Sequence, residues 1–162
     1  MRKGLTPQGY YISPIAGKVH YQSGYEHRFM EYLDSHKFNW QRCKDRFPYI
    51  DENGDKHMYN PDIYLPDYDL YIEVKGMIRF RDPFKFEAFP IDKKLLLVDA
   101  PKLKELGIKV FDPNEITKDI DKTKWPYKIL NQIPDYAKQG ELSKELKERL
   151  YKYNYIFKKE IN

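Results

Sequence analysis

Pro61-Asp62-Ile63-Tyr64-Leu65-Pro66-Asp67-Tyr68-Asp69-Leu70-Tyr71-Ile72-Glu73-Val74-Lys75 is the stretch on which the reading of this chain turns. Leu70 to Lys75 alternates, and successive side chains of a strand point to opposite faces. Glu73 and Lys75 therefore share one face, and Leu70, Ile72 and Val74 share the other. A buried face accepts a glutamate and a lysine together only when they are paired or hold something charged. Pro66, Asp67, Tyr68 and Asp69 carry turn chemistry, so residues 59–65 are expected to fold back as a hairpin partner and bring Asp62 beside Glu73.

Two carboxylates that meet in a pocket repel each other, and a cation between them removes the conflict. Their hard oxygens suit magnesium (Mg2+) or manganese (Mn2+) in preference to zinc. A water polarised by such an ion, and oriented or deprotonated with help from the Lys75 amine, is a nucleophile suited to a phosphodiester. In that reading Asp62 and Glu73 are ligands and the Val74 carbonyl is a further donor. The competing reading is structural: Xaa-Pro-Asp opens many turns, and Glu-Val-Lys on a strand forms ion pairs on a solvated face.

Pro61-Asp62, a short spacer and Glu73-Val74-Lys75 on a strand resemble the signature of the PD-(D/E)xK nuclease superfamily. Ser23-Gly24-Tyr25-Glu26, opening a helical stretch through Leu33, is similar to that family's upstream helix, whose glutamate reaches the metal site. Gly76, Arg79, Arg81, Asp82 and Lys85 ahead of Lys93-Lys94-Leu95-Leu96-Leu97-Val98 are similar to the helix and strand after the motif in small phage and transposon-associated members. The resemblance covers about residues 20 to 112.

It implies a restriction-endonuclease-like α/β core, with a mixed central sheet flanked by helices and a C-terminal helical extension. It further implies a Mg2+-dependent endonuclease acting on DNA, Mn2+ substituting, with Glu26, Asp62, Glu73 and Lys75 as catalytic residues and Glu26 joining the metal site. Arg79, Arg81 and Lys85 are the nucleic-acid-binding candidates, since they follow the site where a scissile strand would run. An exposed basic loop is the structural alternative for each. Lys85 matches the basic residue that often assists the site from the following helix. Where related chains often carry an arginine before Ser-x-x-Glu, this one has Gln22.

Two roles are open for Glu26, because Ser23 to Glu26 also forms a capping box, in which the glutamate bonds back to the helix N-cap. A different function is a catalytically degenerate nuclease fold with a structural or nucleic-acid-binding role, as in phage head completion or genome packaging. The intact Asp62, Glu73 and Lys75 set argues against degeneracy.

The chain has 162 residues, 41% of them hydrophobic and 16% aromatic, which fits one enzyme-sized domain and argues against wholesale disorder. Its 29 basic and 25 acidic residues leave a formal charge of only +4, so local clustering matters more than the sum. Cys43 is the sole cysteine, which excludes an intramolecular disulfide framework and a cysteine-rich zinc site. His20, His27, His36 and His57 show no metal-ligand spacing. No apolar stretch has membrane-spanning length and none follows Met1-Arg2-Lys3 as a signal peptide, so the expectation is no membrane association and a reducing cytoplasm.

Two regions are expected, a nuclease core with an N-terminal arm (1–112) and a C-terminal loop and helix packed on it (113–162). Gly, Pro, Ser and Tyr in residues 4–24 predict an irregular arm. Tyr25, Phe29 and Leu33 predict an amphipathic helix from Ser23. Strands are expected over 38–42, Phe47–Ile50, Lys94–Asp99 and 108–111. Residues 51–56 read as a hairpin tip, without the twelve-residue ligand pattern of a calcium loop. Asp82 is expected to cap a short helix with Pro83 at its first position, and residues 102–106 to form a helix closed by Gly107. Residues 112–134 read as loop. Leu142, Leu146, Leu150, Tyr153 and Phe157 then mark a helix whose lysines are either solvated or in contact with DNA or a second copy. A homodimer is compatible with cutting both strands of a duplex, and a monomeric nickase equally so.

Overall fold

In the computed structural model, which describes residues 8–109 and 139–157, the alternating stretch Leu70–Lys75 is an inner strand of a four-stranded mixed sheet. The elements are β1 (Gly9–Ser13), β2 (Gly17–Tyr21), α1 (Gly24–Ser35), β3 (Gln41–Arg42), β4 (Phe47–Ile50), β5 (Lys56–Tyr59), β6 (Ile63–Leu65), β7 (Leu70–Lys75), α2 (Asp82–Glu87), β8 (Lys94–Asp99), α3 (Ala100–Glu105) and α4 (Lys144–Tyr151). The sheet runs β3-β6-β7-β8, antiparallel except for the parallel β7–β8 pair, whose connection carries α2. The class is α/β.

Both faces of β7 and β8 are covered, which is why these strands read as nearly continuous apolar runs. Leu70, Ile72 and Val74, with Leu96 and Val98, pack against Phe29, Met30 and Leu33 of α1 and against Phe157. On the opposite face Tyr71, Leu95 and Leu97 meet Phe47, Tyr59, Phe86, Phe89, Leu146 and Leu150. Glu73 and Lys75 continue that second face toward the strand's end.

Residues 59–65 do not form one strand. Pro61 lacks the amide hydrogen a ladder needs, and the stretch divides there. Tyr59 ends β5 on β4, and Ile63 begins β6 on β7. The pairing of Ile63 with Ile72 and Leu65 with Leu70 sets Asp62, in the gap, across from Glu73. The Asp62 carbonyl accepts the Cys43 amide at 3.1 Å.

The N-terminal segment departs from the expectation of an irregular arm. Its described part is a regular β1–β2 hairpin, turned by Gly17 at φ +79° and by the Ser13 hydroxyl, which accepts the Ile15 and Ala16 amides at 3.0 and 2.9 Å. Asp34 of α1 ties the hairpin down, accepting Ser13 Oγ at 2.7 Å, Trp40 Nε1 at 2.8 Å and the Tyr11 hydroxyl.

Smaller differences lie at element ends. Only Gln41 and Arg42 of 38–42 pair as a strand, although Phe38 and Trp40 are buried. Arg81, not Asp82, holds the cap position of α2, because Asp82 is drawn inward. Asp99 caps α3, accepting the Lys102 amide at 3.1 Å, so that helix starts earlier than expected and ends before Gly107 at φ +81°. Residues 108 and 109 are not strand; 110 and 111, the expected loop 112–134, and Lys158 and Lys159 lie outside the described residues.

After α4 the chain turns, and Ile156 and Phe157 are buried against α1. Arg149 donates to the Phe89 and Pro90 carbonyls at 2.8 and 2.7 Å, fastening α4 to the end of the segment after α2. Lys144, Lys147 and Lys152 are exposed. No helix among the described residues is long and apolar enough to cross a membrane.

Phe157 is fully buried and meets the Phe29 and Phe38 rings edge-on at 5.7 and 5.6 Å. Phe157→Ala is expected to cost about 3–5 kcal/mol in urea unfolding, the range for emptying a buried aromatic site. Exposed Lys147→Ala should stay within about 0.5 kcal/mol. Equal, small effects would mean that the C-terminal segment does not share the core.

Candidate active site

Four carboxyls and three cations converge where β7 ends. Asp62 and Glu73 are buried opposite each other, with Asp62 Oδ2 accepting the Val74 amide at 2.8 Å. One residue's N–H and C=O lie on the same side of an antiparallel ladder, so the Val74 carbonyl also faces the Asp62 side. Glu73 Oε1 accepts the Tyr59 hydroxyl at 3.0 Å, and Lys75 Nζ lies 3.4 Å from Glu73 Oε2. The cross-strand and same-face placement expected from alternation therefore joins Asp62, Glu73 and Lys75.

Glu26 caps its helix and also lies against Asp62 and Arg42. Ser23 and Glu26 form the reciprocal capping box: Glu26 Oε2 accepts the Ser23 amide at 3.2 Å while Ser23 Oγ accepts the Glu26 amide at 3.2 Å. The same carboxylate, only 3% exposed, is hydrogen-bonded to the Asp62 carboxyl and accepts Arg42 Nη1 at 3.2 Å through Oε1. The cap fixes the first turn of α1, and the first turn carries the glutamate to the site.

Burial pushes the Asp62 carboxyl well above the usual range, and the neighbouring Glu73 and Glu26 carboxyls push it further. Burial also raises Glu73, against the opposing charges of Lys75 and Lys85. Glu26 is lowered: burial works to raise it, but the hydrogen bond from Asp62, the Arg42 charge and the Gln22 amide outweigh that. For Lys75 burial works downward, yet Glu73, Asp82 and Asp62 overcome it and hold the amine above the ordinary lysine value. Lys75 is thus an ammonium here, suited to donating hydrogen bonds rather than to taking a proton.

Three members of the cluster were not identified as site residues from the sequence. Arg42 Nη1 bridges Glu26, the Asp62 carbonyl at 3.0 Å and Asp62 Oδ1 at 3.5 Å. Tyr59 buttresses Glu73. Asp82, completely buried, stands 3.3 Å from Lys75 Nζ and 3.5 Å from Lys85 Nζ, and its Oδ2 accepts the Arg79 amide at 2.7 Å. The only signals were an arginine ending an expected strand, a tyrosine ahead of Pro61, and an aspartate read as a helix cap.

Among the basic residues after the motif, Lys85 faces the site, paired with Asp82 and lying over the Tyr59 ring at 5.9 Å from its centre. Arg81 is committed elsewhere: its Nη2 is 3.3 Å from Glu52 and 3.6 Å from Asp51 at the tip of the β4–β5 hairpin. Arg79 pairs through its backbone with Gln139. Beside Lys75, at the carboxyl ends of β7 and β8, opens a cavity of about 390 Å³ bounded also by Gly76, Asp99, Gly140, Lys147 and Tyr151.

Among the described residues, no group of three or more His, Cys, Asp and Glu side chains is arranged as a ready cage for a metal ion. Asp62 and Glu73 nevertheless offer the donor chemistry that Mg2+ takes, one or two carboxylates with water completing the shell. Burial is the first cause of both raised pKa values, with the neighbouring carboxyls adding to it at Asp62, and a divalent cation between the two groups would favour their charged forms.

A raised carboxyl pKa means that the folded state holds protons the unfolded chain has released. The stability these two groups contribute is therefore full below the ordinary carboxyl range and is lost as pH rises through their folded values; Glu26, lowered, runs the other way. Asp62→Asn keeps an acceptor for Val74 and a donor for Glu26 while removing the charge. Without divalent ions its Tm is expected to exceed that of the wild type at pH 8, the gap narrowing toward pH 5. A variant less stable than wild type across that range would contradict the crowded-carboxyl description. No family model, no curated protein and no solved structure matches the chain.

Proposed function

We propose that this protein is a metal-dependent DNA endonuclease with a restriction-endonuclease-like core, hydrolysing phosphodiester bonds. The observation that carries the reading is the meeting of Asp62, Glu73 and Lys75 at the end of a sheet strand, with Glu26 brought to them by its capped helix. Burial raises both carboxyls, and buried, perturbed carboxyls with a cation beside them are a frequent feature of functional sites.

In this reading Asp62 and Glu73 would hold Mg2+ or Mn2+, with the Val74 carbonyl and Glu26 as further donors. The chemistry the ion supplies when bound is activation of a water and neutralisation of phosphate charge. Lys75, held as an ammonium between Glu73 and Asp82, donates to the phosphate oxygen on which charge accumulates or orients the attacking water. Tyr59 keeps Glu73 aimed through its hydrogen bond, and Asp82 keeps Lys75 and Lys85 on one side of the site. Lys85 and Arg79 are the phosphate-holding candidates. Arg81 serves the hairpin tip in preference to DNA. The cavity beside Lys75 would admit a backbone next to that amine, although Glu26, Asp62 and Glu73 do not line it.

Purified wild type is expected to nick supercoiled plasmid in Mg2+ or Mn2+. Asp62→Ala or Glu73→Ala should abolish nicking with folding intact, and Lys75→Ala should lower turnover more than DNA affinity. Nicking at the wild-type rate by Glu73→Ala, or by wild type in excess chelator, would sink the metal mechanism. Salt-dependent DNA binding without any nicking would instead support a degenerate binding module.

A further inference from the structure

Arg42 occupies a position that neither the ligand set nor the substrate path requires. β3 pairs with β6 so that Arg42 stands across from Ile63, next to Asp62. Its Nη1 reaches three oxygens: Glu26 Oε1 at 3.2 Å, the Asp62 carbonyl at 3.0 Å and Asp62 Oδ1 at 3.5 Å. The side chain is 24% exposed, so it sits at the rim rather than in the core.

The distribution of charge explains why it is there. Glu26, Asp62, Glu73 and Asp82 face Arg42, Lys75 and Lys85, four carboxyls against three cations. Lys75 and Lys85 are both held toward Asp82, on the Glu73 side. At the Glu26–Asp62 end Arg42 is the sole cation among the described ion pairs. A guanidinium there satisfies acceptors that would otherwise be buried without a counter-charge.

We infer that Arg42 is a built-in counter-ion, standing at Asp62 where a divalent cation would place its charge, so that guanidinium and cation compete and Arg42 sets how tightly the site binds metal. Like charges a few ångströms apart repel, and more so away from bulk water. The third contact, to the Asp62 carbonyl, involves no ionised acceptor and keeps Arg42 at the site when the carboxylate is given up. The inference rests on the reading of Asp62 and Glu73 as a cation site and adds what regulates it.

The test needs no DNA and no activity: free Mn2+ is measured by electron paramagnetic resonance during titration of the full chain, for wild type, Arg42→Gln and Arg42→Lys. Removing the charge should tighten Mn2+ binding on the order of tenfold, equivalent to about 1.4 kcal/mol. It should also lower the Tm of the metal-free protein, while Arg42→Lys, which keeps the charge, should bind close to wild type. An arginine that merely orients the ligands gives the opposite sign, so Arg42→Gln binding no tighter than a wild type that does bind overturns the inference alone. Arg42→Lys tightening as much as Arg42→Gln also overturns it, because charge would then not be the cause. Wild type and variants that all leave Mn2+ free overturn the cation site and the role of Arg42 with it.

Discussion

A carboxyl group removed from water must be paired, protonated or bound to a cation, and the end of β7 carries Glu73 with Asp62 beside it and Glu26 behind. Much of the arrangement around that point answers this one requirement. α1 contributes Glu26 because its cap is made by that same residue, β3 contributes Arg42, β5 contributes the Tyr59 hydroxyl, and α2 contributes Asp82 and Lys85. Four elements thus converge on one strand end. The apolar faces of β7 and β8 fix the backbone that holds them, so the core sets the positions and the charges decide the chemistry.

The part of this design that reads directly from the sequence is the part governed by period and local chemistry. Alternation along Leu70–Lys75 assigns Glu73 and Lys75 to one face, and the turn before it returns Asp62. The capping box fixes the start of α1. Pro61 was legible as part of a motif, but its effect on the ladder, dividing residues 59–65 between two sheets, depends on which neighbours each half finds. The N-terminal hairpin was hidden because glycine and serine there are turn residues of a regular ribbon, while Asp34, which anchors it, lies far along the chain. Arg42, Tyr59 and Asp82 carry no periodic signal at all; their roles come from distance in space to charges elsewhere.

Charge placement also separates the basic residues that sequence position alone groups together. Arg81 and Lys85 lie one turn apart, yet Arg81 ties the β4–β5 tip to α2 through Asp51 and Glu52, whereas Lys85 turns to Asp82 and the site. Lys75, surrounded by three carboxyls, is kept charged, which favours electrostatic assistance over proton abstraction. Asp82, unremarkable as a helix residue, becomes the anchor of both ammonium groups.

A crystal of the full chain grown with Mn2+ and a short DNA duplex, measured for anomalous scattering, locates the cation without reference to rate. The account requires an anomalous peak in contact with the Asp62 and Glu73 carboxylates, with a phosphate oxygen beside Lys75. Density without a peak there, with Arg42 still closed on Asp62 and DNA bound elsewhere on the surface, would contradict it.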